Sequence, residues 1–377
     1  MNLANKNIIA TLFMFSLFLM SAGVTQAGIK EADDAYNKGD YQTAYKEYKA
    51  LADEGNADAQ NSLGIMYEEG RGVEQNLEKA IEFYNLSASQ GNRDGQFSLG
   101  YVYAHGIGVQ KNSKTAMKWY KKSAKQGNLY AMYNIGVMYD NGDGVKQSLD
   151  KAFDWYEKAA KEEYAPAQFN IANMYEMGQG TKQNFTKAFE WYEKSAMQGY
   201  ASAQNNLGHL YSEGRGVDVD KSKGFGWYSK AADQGDLDGI YNVAYGYDEG
   251  VGVKQNHKKA FKLYEEAAEK GHMMAQNNIG VMYEKGQGVK KNLQKASEWY
   301  RKAANQGDPS AQNNLGALYY YGNGVKQDYI LSYKWFMISA AQNYDGAEGN
   351  MKLASEKMNK QDILEAKRLA NEFMSGQ

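Results

Sequence analysis

The chain repeats itself every 36 residues, and this period rules out most folds open to a chain of its length. The pair Leu63-Gly64 recurs at Leu99-Gly100, Ile135-Gly136, Ile171-Ala172, Leu207-Gly208, Val243-Ala244, Ile279-Gly280 and Leu315-Gly316, with no insertion between copies. Three residues after each pair's small residue stands a tyrosine: Tyr67, Tyr103, Tyr139, Tyr175, Tyr211, Tyr247, Tyr283 and Tyr319. A G-x-G turn follows each time, from Gly70 and Gly72 to Gly322 and Gly324. All six tryptophans share one phase: Trp119, Trp155, Trp191, Trp227, Trp299 and Trp335, with Phe83 and Leu263 in the two remaining copies. A strict internal period of this size is the mark of a stacked repeat architecture rather than of two or three globular domains.

Each position has a physical reading. Ala59, Leu63 and Tyr67 lie four apart and make one stripe on a first helix, A. Gly64 within that helix costs about 1 kcal/mol against alanine, which is tolerable where a second helix must come close. The G-x-G turn supplies residues that take positive φ and end helix A. Helix B then begins after Asn76, Asn112, Ser148, Asn184, Asp220, Asn256, Asn292 and Asp328, all residue types that cap a helix N-terminus. Ala80, Tyr84 and Ala88 form its buried stripe, and the tryptophan beside Tyr156 reads as a core ring. One helix pair cannot bury its own apolar face, so eight must stack. The expected fold is all-α, a right-handed α/α superhelical solenoid with helix A on the concave side and helix B on the convex side.

The ends differ from the repeat. Residues 1–27 open with Lys6 and an apolar run from Ile8 to Met20, then small residues Thr25 and Ala27 before Gly28. That is the pattern of a secretory signal peptide. The alternative is an uncleaved anchor, but thirteen apolar residues are short of the roughly 20 that a span needs. No membrane span is expected once the leader is removed. Residues 28–55 read as an N-terminal capping unit with a shorter turn, from Gly39 to Ala44; 56–343 hold the eight repeats; 344–377 read as C-terminal capping helices carrying Ile363, Ala366, Leu369, Ala370 and Phe373.

L-G-x-x-Y-x-x-G-x-G-V, then K-A, then W-Y-x-x-A-A and Q-G, resembles the Sel1-like repeat family, a relative of the tetratricopeptide repeats. Lys151-Ala152, Trp155-Tyr156 and Ala159-Ala160 carry the second half of the pattern. The resemblance spans Asp53 to about Asn343 and implies a TPR-like scaffold for protein–protein interaction. Departures are mild: Ala172 and Ala244 replace the packing glycine, Gly224 and Ser332 the alanine, and Glu163 and Asn343 the closing glycine.

A search for chemistry returns little. With no cysteine, disulfides, thiolate metal sites and a cysteine nucleophile are excluded. His105, His209, His257 and His272 fall at different phases and form no metal-ligand spacing. No carboxylate pair and no G-x-S-x-G elbow stands out. The eight G-x-G turns follow helices, not strands, so they read as structure rather than as phosphate loops. Forty-three basic residues against 45 acidic ones give no general attraction to nucleic acid or anionic lipid. The chain therefore reads as no enzyme, with no cofactor, no metal site and no nucleic-acid partner.

Binding must use exposed positions that vary between copies. Two residues before the leucine, and two after it, helix A should face the concave groove, and there stand Phe97, Tyr101, Tyr133, Phe169, Tyr241 and Tyr245. Tyrosine-rich surfaces bury much area at low entropy cost. Directly before the leucine runs an amide ladder that includes Asn134, Asn170, Asn206 and Asn242. In the related tetratricopeptide repeats an asparagine at this phase often holds the backbone of an extended peptide; alternatively, these amides bond across neighbouring helices. An acidic rim, Glu68, Glu69, Asp140, Glu176, Glu213, Asp248 and Glu249, would suit a basic and apolar segment. Exported family members in bacteria that live inside host cells are associated with host contact, entry and trafficking. The resemblance thus implies a secreted, surface or periplasmic scaffold that docks a host protein, or alternatively a periplasmic adaptor for envelope or peptidoglycan enzymes. The oligomeric state is left open.

Overall fold

The computed structural model describes residues 28–376, in two compact units, 28–183 and 184–376. The expected signal peptide, 1–27, lies outside the described residues. Every regular element among the described residues is a helix. The first unit holds α1 (28–37), α2 (Tyr41–Asp53), α3 (Ala57–Glu69), α4 (Leu77–Ser89), α5 (Arg93–His105), α6 (Ser113–Ala124), α7 (Leu129–Asn141), α8 (Leu149–Lys161) and α9 (Ala165–Met177). The second holds α10 (Phe185–Met197), α11 (Ala201–Glu213), α12 (Lys221–Asp233), α13 (Leu237–Glu249), α14 (His257–Glu269), α15 (Met273–Lys285), α16 (Leu293–Asn305), α17 (Pro309–Tyr321), α18 (Tyr329–Ala341), α19 (Ala347–Ser355) and α20 (Lys360–Ser375). The fold is an all-α helical-repeat solenoid. Odd-numbered helices from α3 to α17 are the A helices of the eight repeats, and even-numbered helices from α4 to α18 are the B helices.

Local chemistry sets these boundaries. All eight cap residues accept a backbone N–H three residues on, as Asn76 does from Lys79 at 3.0 Å and Asp328 from Leu331 at 2.9 Å. Each such cap is worth about 1 kcal/mol. Gly70 ends α3 at φ 70°, in the left-handed region. Gly72 is also left-handed, and a Cβ there would strike the Tyr41 carbonyl at the start of the preceding α2. Each later second glycine likewise meets the first residue of the preceding helix, through the Leu77 Cβ at Gly108 (2.8 Å), the Ser113 backbone at Gly144 (2.7 Å) and, at the last, the Leu293 carbonyl at Gly324. Glu163 and Asn343, in place of the closing glycine, still take φ 62° and 59°. Asparagine tolerates that region; for glutamate it is strained.

The core follows the two stripes. Ala59 and Leu63 on α3 and Ala80 and Tyr84 on α4 are buried, and the pattern returns in every repeat. The glycine of helix A admits the ring of helix B: a Cβ at Gly136 would lie 2.6 Å from the Tyr156 ring, and one at Gly316 would lie 2.8 Å from Phe336. The expectation that tryptophan supplies the core ring needs correction. Tyr84, Tyr120, Tyr156, Tyr192, Tyr264 and Tyr300 are the large, fully buried side chains, whereas Trp119, Trp155, Trp191, Trp227 and Trp299 are half-buried. One residue turns a helix by about 100°, enough to move a ring from core to flank. Each of these tryptophans instead carries a lysine over its ring three residues on, at 3.9 Å for Lys122 over Trp119 and 4.0 Å for Lys158 over Trp155. Only Trp335 in the last repeat is buried, against Phe373 of α20 at 5.2 Å.

Candidate functional site

In the first unit the A helices gather aromatic side chains into one continuous run. Tyr101 packs on His105 with ring centroids 4.4 Å apart and lies 6.3 Å from Phe97. Phe97 meets Tyr130 at 5.8 Å, Tyr130 meets Tyr164 at 5.3 Å, and Tyr164 meets Tyr133 at 5.4 Å. Within the run the rings differ in exposure. Phe97 and Tyr133 are half-buried because each leans on the core tyrosine of its own repeat, Tyr120 at 5.7 Å and Tyr156 at 5.5 Å. Tyr101 and Tyr130 stand out at 39% and 55% exposure. Phe169 and Asn170, on α9, are half-buried, and Asn170 approaches the Tyr156 hydroxyl. Tyr130 and Tyr164 escaped sequence reasoning, which sought aromatic rings only at positions two from the leucine. Tyr130 occupies a position held by Asp, Pro, Ser or Met in the other copies, and that variation was the available signal.

The second unit carries its own group. Tyr241 stacks on His272 at 4.8 Å and packs on the core ring Tyr264 at 5.7 Å. Tyr245 is 45% exposed. Asn242 donates to Asn205 Oδ1 at 2.8 Å and lies 3.3 Å from His209 Nε2, while His209 Nδ1 meets the Tyr228 hydroxyl at 3.0 Å. Burial pushes the Tyr228 hydroxyl pKa up to about 12.

The amide ladder has two behaviours, and the residue 37 positions back decides between them. Where that residue is asparagine, the amides bond across repeats: Asn242 to Asn205, Asn314 to Asn277 at 3.2 Å, and Asn350 to Asn313 at 2.9 Å. Where it is phenylalanine, that bond has no acceptor, whereas the Tyr241 hydroxyl meets Asn278. Asn206 instead donates to the Tyr192 hydroxyl at 3.0 Å. Asn134, preceded by Phe97, makes no side-chain hydrogen bond among the described residues and is left half-exposed beside the aromatic run. Much of the acidic rim is engaged within the chain. Glu68 accepts from the Tyr84 hydroxyl at 2.7 Å and Asp140 from Tyr156 at 3.4 Å. Glu69 holds Tyr36 and Arg71, Glu213 pairs with Arg215 at 2.7 Å, and Asp248 pairs with His257 at 2.7 Å.

Among the described residues no group of three or more His, Asp or Glu side chains could hold a metal ion, and no helix is long and apolar enough to cross a membrane.

The Sel1 repeat family model matches the chain eight times, over 57–92, 93–128, 129–164, 165–200, 201–236, 237–272, 274–308 and 309–344. The chain belongs to the Sel1 repeat family. Sel1 repeats generally mediate protein–protein interaction, and their scaffold is typically non-enzymatic. Two solved structures of Sel1 relatives are similar over most of their length. One is a protective antigen present in uropathogenic Escherichia coli strains, with an SLR fold: 32% identity, TM-score 0.58, covering 94% of this chain and 85% of that one. The other is a Sel1 repeat protein from Oxalobacter formigenes: 30% identity, TM-score 0.63, covering 82% of this chain and 90% of that one. No match was found among curated proteins.

Proposed function

We propose that this Sel1 repeat protein is an exported, non-catalytic scaffold that docks an extended segment of a partner protein on its A-helix face, and that the partner is a host protein met during entry or intracellular trafficking. The observation that carries the docking reading is the aromatic run of the first unit, with Tyr101 and Tyr130 exposed and the Asn134 amide open beside them. Rings of this kind supply contact area at low entropy cost, and an amide next to them can pair with a peptide backbone. The leader-like pattern of residues 1–27 supports export. A relative described as a protective antigen supports contact with a host.

The test is a pull-down with residues 28–377 as bait, run in parallel on host-cell lysate and bacterial envelope lysate. Its control is Tyr101→Ala with Tyr130→Ala, two exposed positions whose loss should leave the helices folded. A host protein captured by the native bait and lost with the control supports the proposal. An envelope protein behaving this way would replace it with a periplasmic adaptor. Partners that bind both baits equally would move the docking surface elsewhere on the solenoid.

A further inference from the structure

Three departures from the repeat converge at one place in the second unit. The residue three after the leucine is a buried Met, Val or Leu in seven repeats, as Met66 and Met282 are, but Gly246 in the sixth. The alanine that begins the buried stripe of helix B is Gly224 in the fifth, and a Cβ there would strike the Ser212 hydroxyl. Ser212 itself stands where Glu68 and Glu284 hold the core tyrosine hydroxyl. Part of the space a methionine would fill is taken by Phe225, whose ring lies 2.7 Å from where a Cβ of residue 246 would be. The rest stays open as a cavity of about 240 Å³ between α11, α12 and α13. Phe225, Tyr228, Tyr245 and His209 wall it, and Lys221 and Glu213 stand among its charged residues.

We propose that this cavity is a socket for one aromatic side chain of the docked segment. The proposal deepens the docking reading and rests on it, since the cavity is walled in part by two A helices, α11 and α13. The size argues for a side chain: the volume lies below the roughly 300 Å³ at which pockets for drug-sized molecules begin, and above the roughly 150 Å³ of an engineered protein cavity that accepts benzene. The walls argue for a ring, because aromatic partners gain edge-to-face contact with Phe225, Tyr228 and Tyr245 that an aliphatic chain does not.

The test uses residues 28–377 and p-cresol as the probe, read by saturation-transfer NMR and by thermal shift, with cyclohexanol as the non-aromatic control. Saturable p-cresol binding, tighter than that of cyclohexanol, is expected. Gly246→Met restores the side chain that four other repeats carry, and one repeat further on Phe261 and Met282 stand at the same two positions in one core cluster. It should weaken p-cresol at least tenfold while helical circular dichroism at the assay temperature stays native. Ser212→Glu closes the cavity from the other side and should do the same. Absence of p-cresol binding by the native protein, or equal binding by native and plugged variants, overturns the socket. Because p-cresol binds without any partner protein, failure of the socket and failure of the docking face are distinguished: the first shows in the NMR titration, the second in the pull-down.

Discussion

Gln90 donates from Nε2 to the Oε1 of Gln60 at 2.7 Å, and Gln60 passes its own Nε2 to the Ala52 carbonyl at 3.2 Å. The first bond ties the end of α4 to the start of α3 within a repeat; the second ties that repeat to α2 before it. The clasp recurs as Gln126–Gln96, Gln234–Gln204, Gln306–Gln276 and Gln342–Gln312, at 2.7–3.0 Å. Where helix A carries Met132 or Ile240 instead, the partner position carries Glu162 or Lys270, so both halves are lost together. Gln60 is buried, and truncating it to Ala leaves the Ala52 carbonyl without that donor. Gln60→Ala is therefore expected to cost about 1–3 kcal/mol in urea unfolding. The pair borrowed from the third repeat, Q60M with Q90E, should cost less than the single change; an equal cost would mean the two positions act independently.

Gly136→Ala should destabilise although alanine is the better helix former. The new Cβ would sit 2.6 Å from the Tyr156 ring. Overpacking of that kind costs about 1–3 kcal/mol, more than the roughly 1 kcal/mol gained in propensity. A higher melting temperature for the variant would show that the ring can yield, as the native Ala244 beside Tyr264 shows it can in the sixth repeat.

Trp155 and Tyr156 should separate clearly in a truncation series. Tyr156 is buried and Trp155 only half so, capped by Lys158. Tyr156→Ala is expected to cost about 3–5 kcal/mol and Trp155→Ala roughly half as much. Equal losses in chemical unfolding would return tryptophan to the core.

Alkaline unfolding should be steep. Burial raises the hydroxyl pKa of Tyr84, Tyr120, Tyr156, Tyr228, Tyr264 and Tyr300 above the ordinary 10.0, to about 12 for Tyr228. The folded chain keeps these protons where the unfolded chain releases them, so their contribution is full below pH 10 and falls as pH rises beyond it. Phenolate absorbance of the buried set is expected to appear together with the loss of helical circular dichroism. Complete tyrosine titration near pH 10 with helices intact would count against the burial.

Much of this architecture was legible because it obeys local rules. The period, the helix pairs, the eight caps and the close approach at Gly64 all follow from residue types within one repeat. The features that stayed hidden depend on relations the single repeat does not hold. Tryptophan drew attention by its rarity, but one residue of helical phase gives the core to tyrosine. The fate of each ladder asparagine depends on a residue 37 positions earlier, as Asn242 and Asn134 show. Tyr130 and Tyr164 join the aromatic run because rings reach from one helix pair to the next. The glutamine clasp was present in the sequence as two covarying columns, 30 residues apart.

The contact of Gly72 with the first residue of the preceding helix has a consequence for how the array can change in length. The residues met in this way, Tyr41, Leu77, Ser113, Leu149, Phe185, Lys221, His257 and Leu293, are themselves spaced by 36. A gene that gains or loses a whole block of 108 nucleotides leaves every keyed joint matched to its neighbour. A single codon added within a turn breaks one joint outright. Whole 36-residue units can therefore be added or removed with the joints intact, whereas one inserted residue cannot be absorbed, and the eight copies stand without an insertion among them.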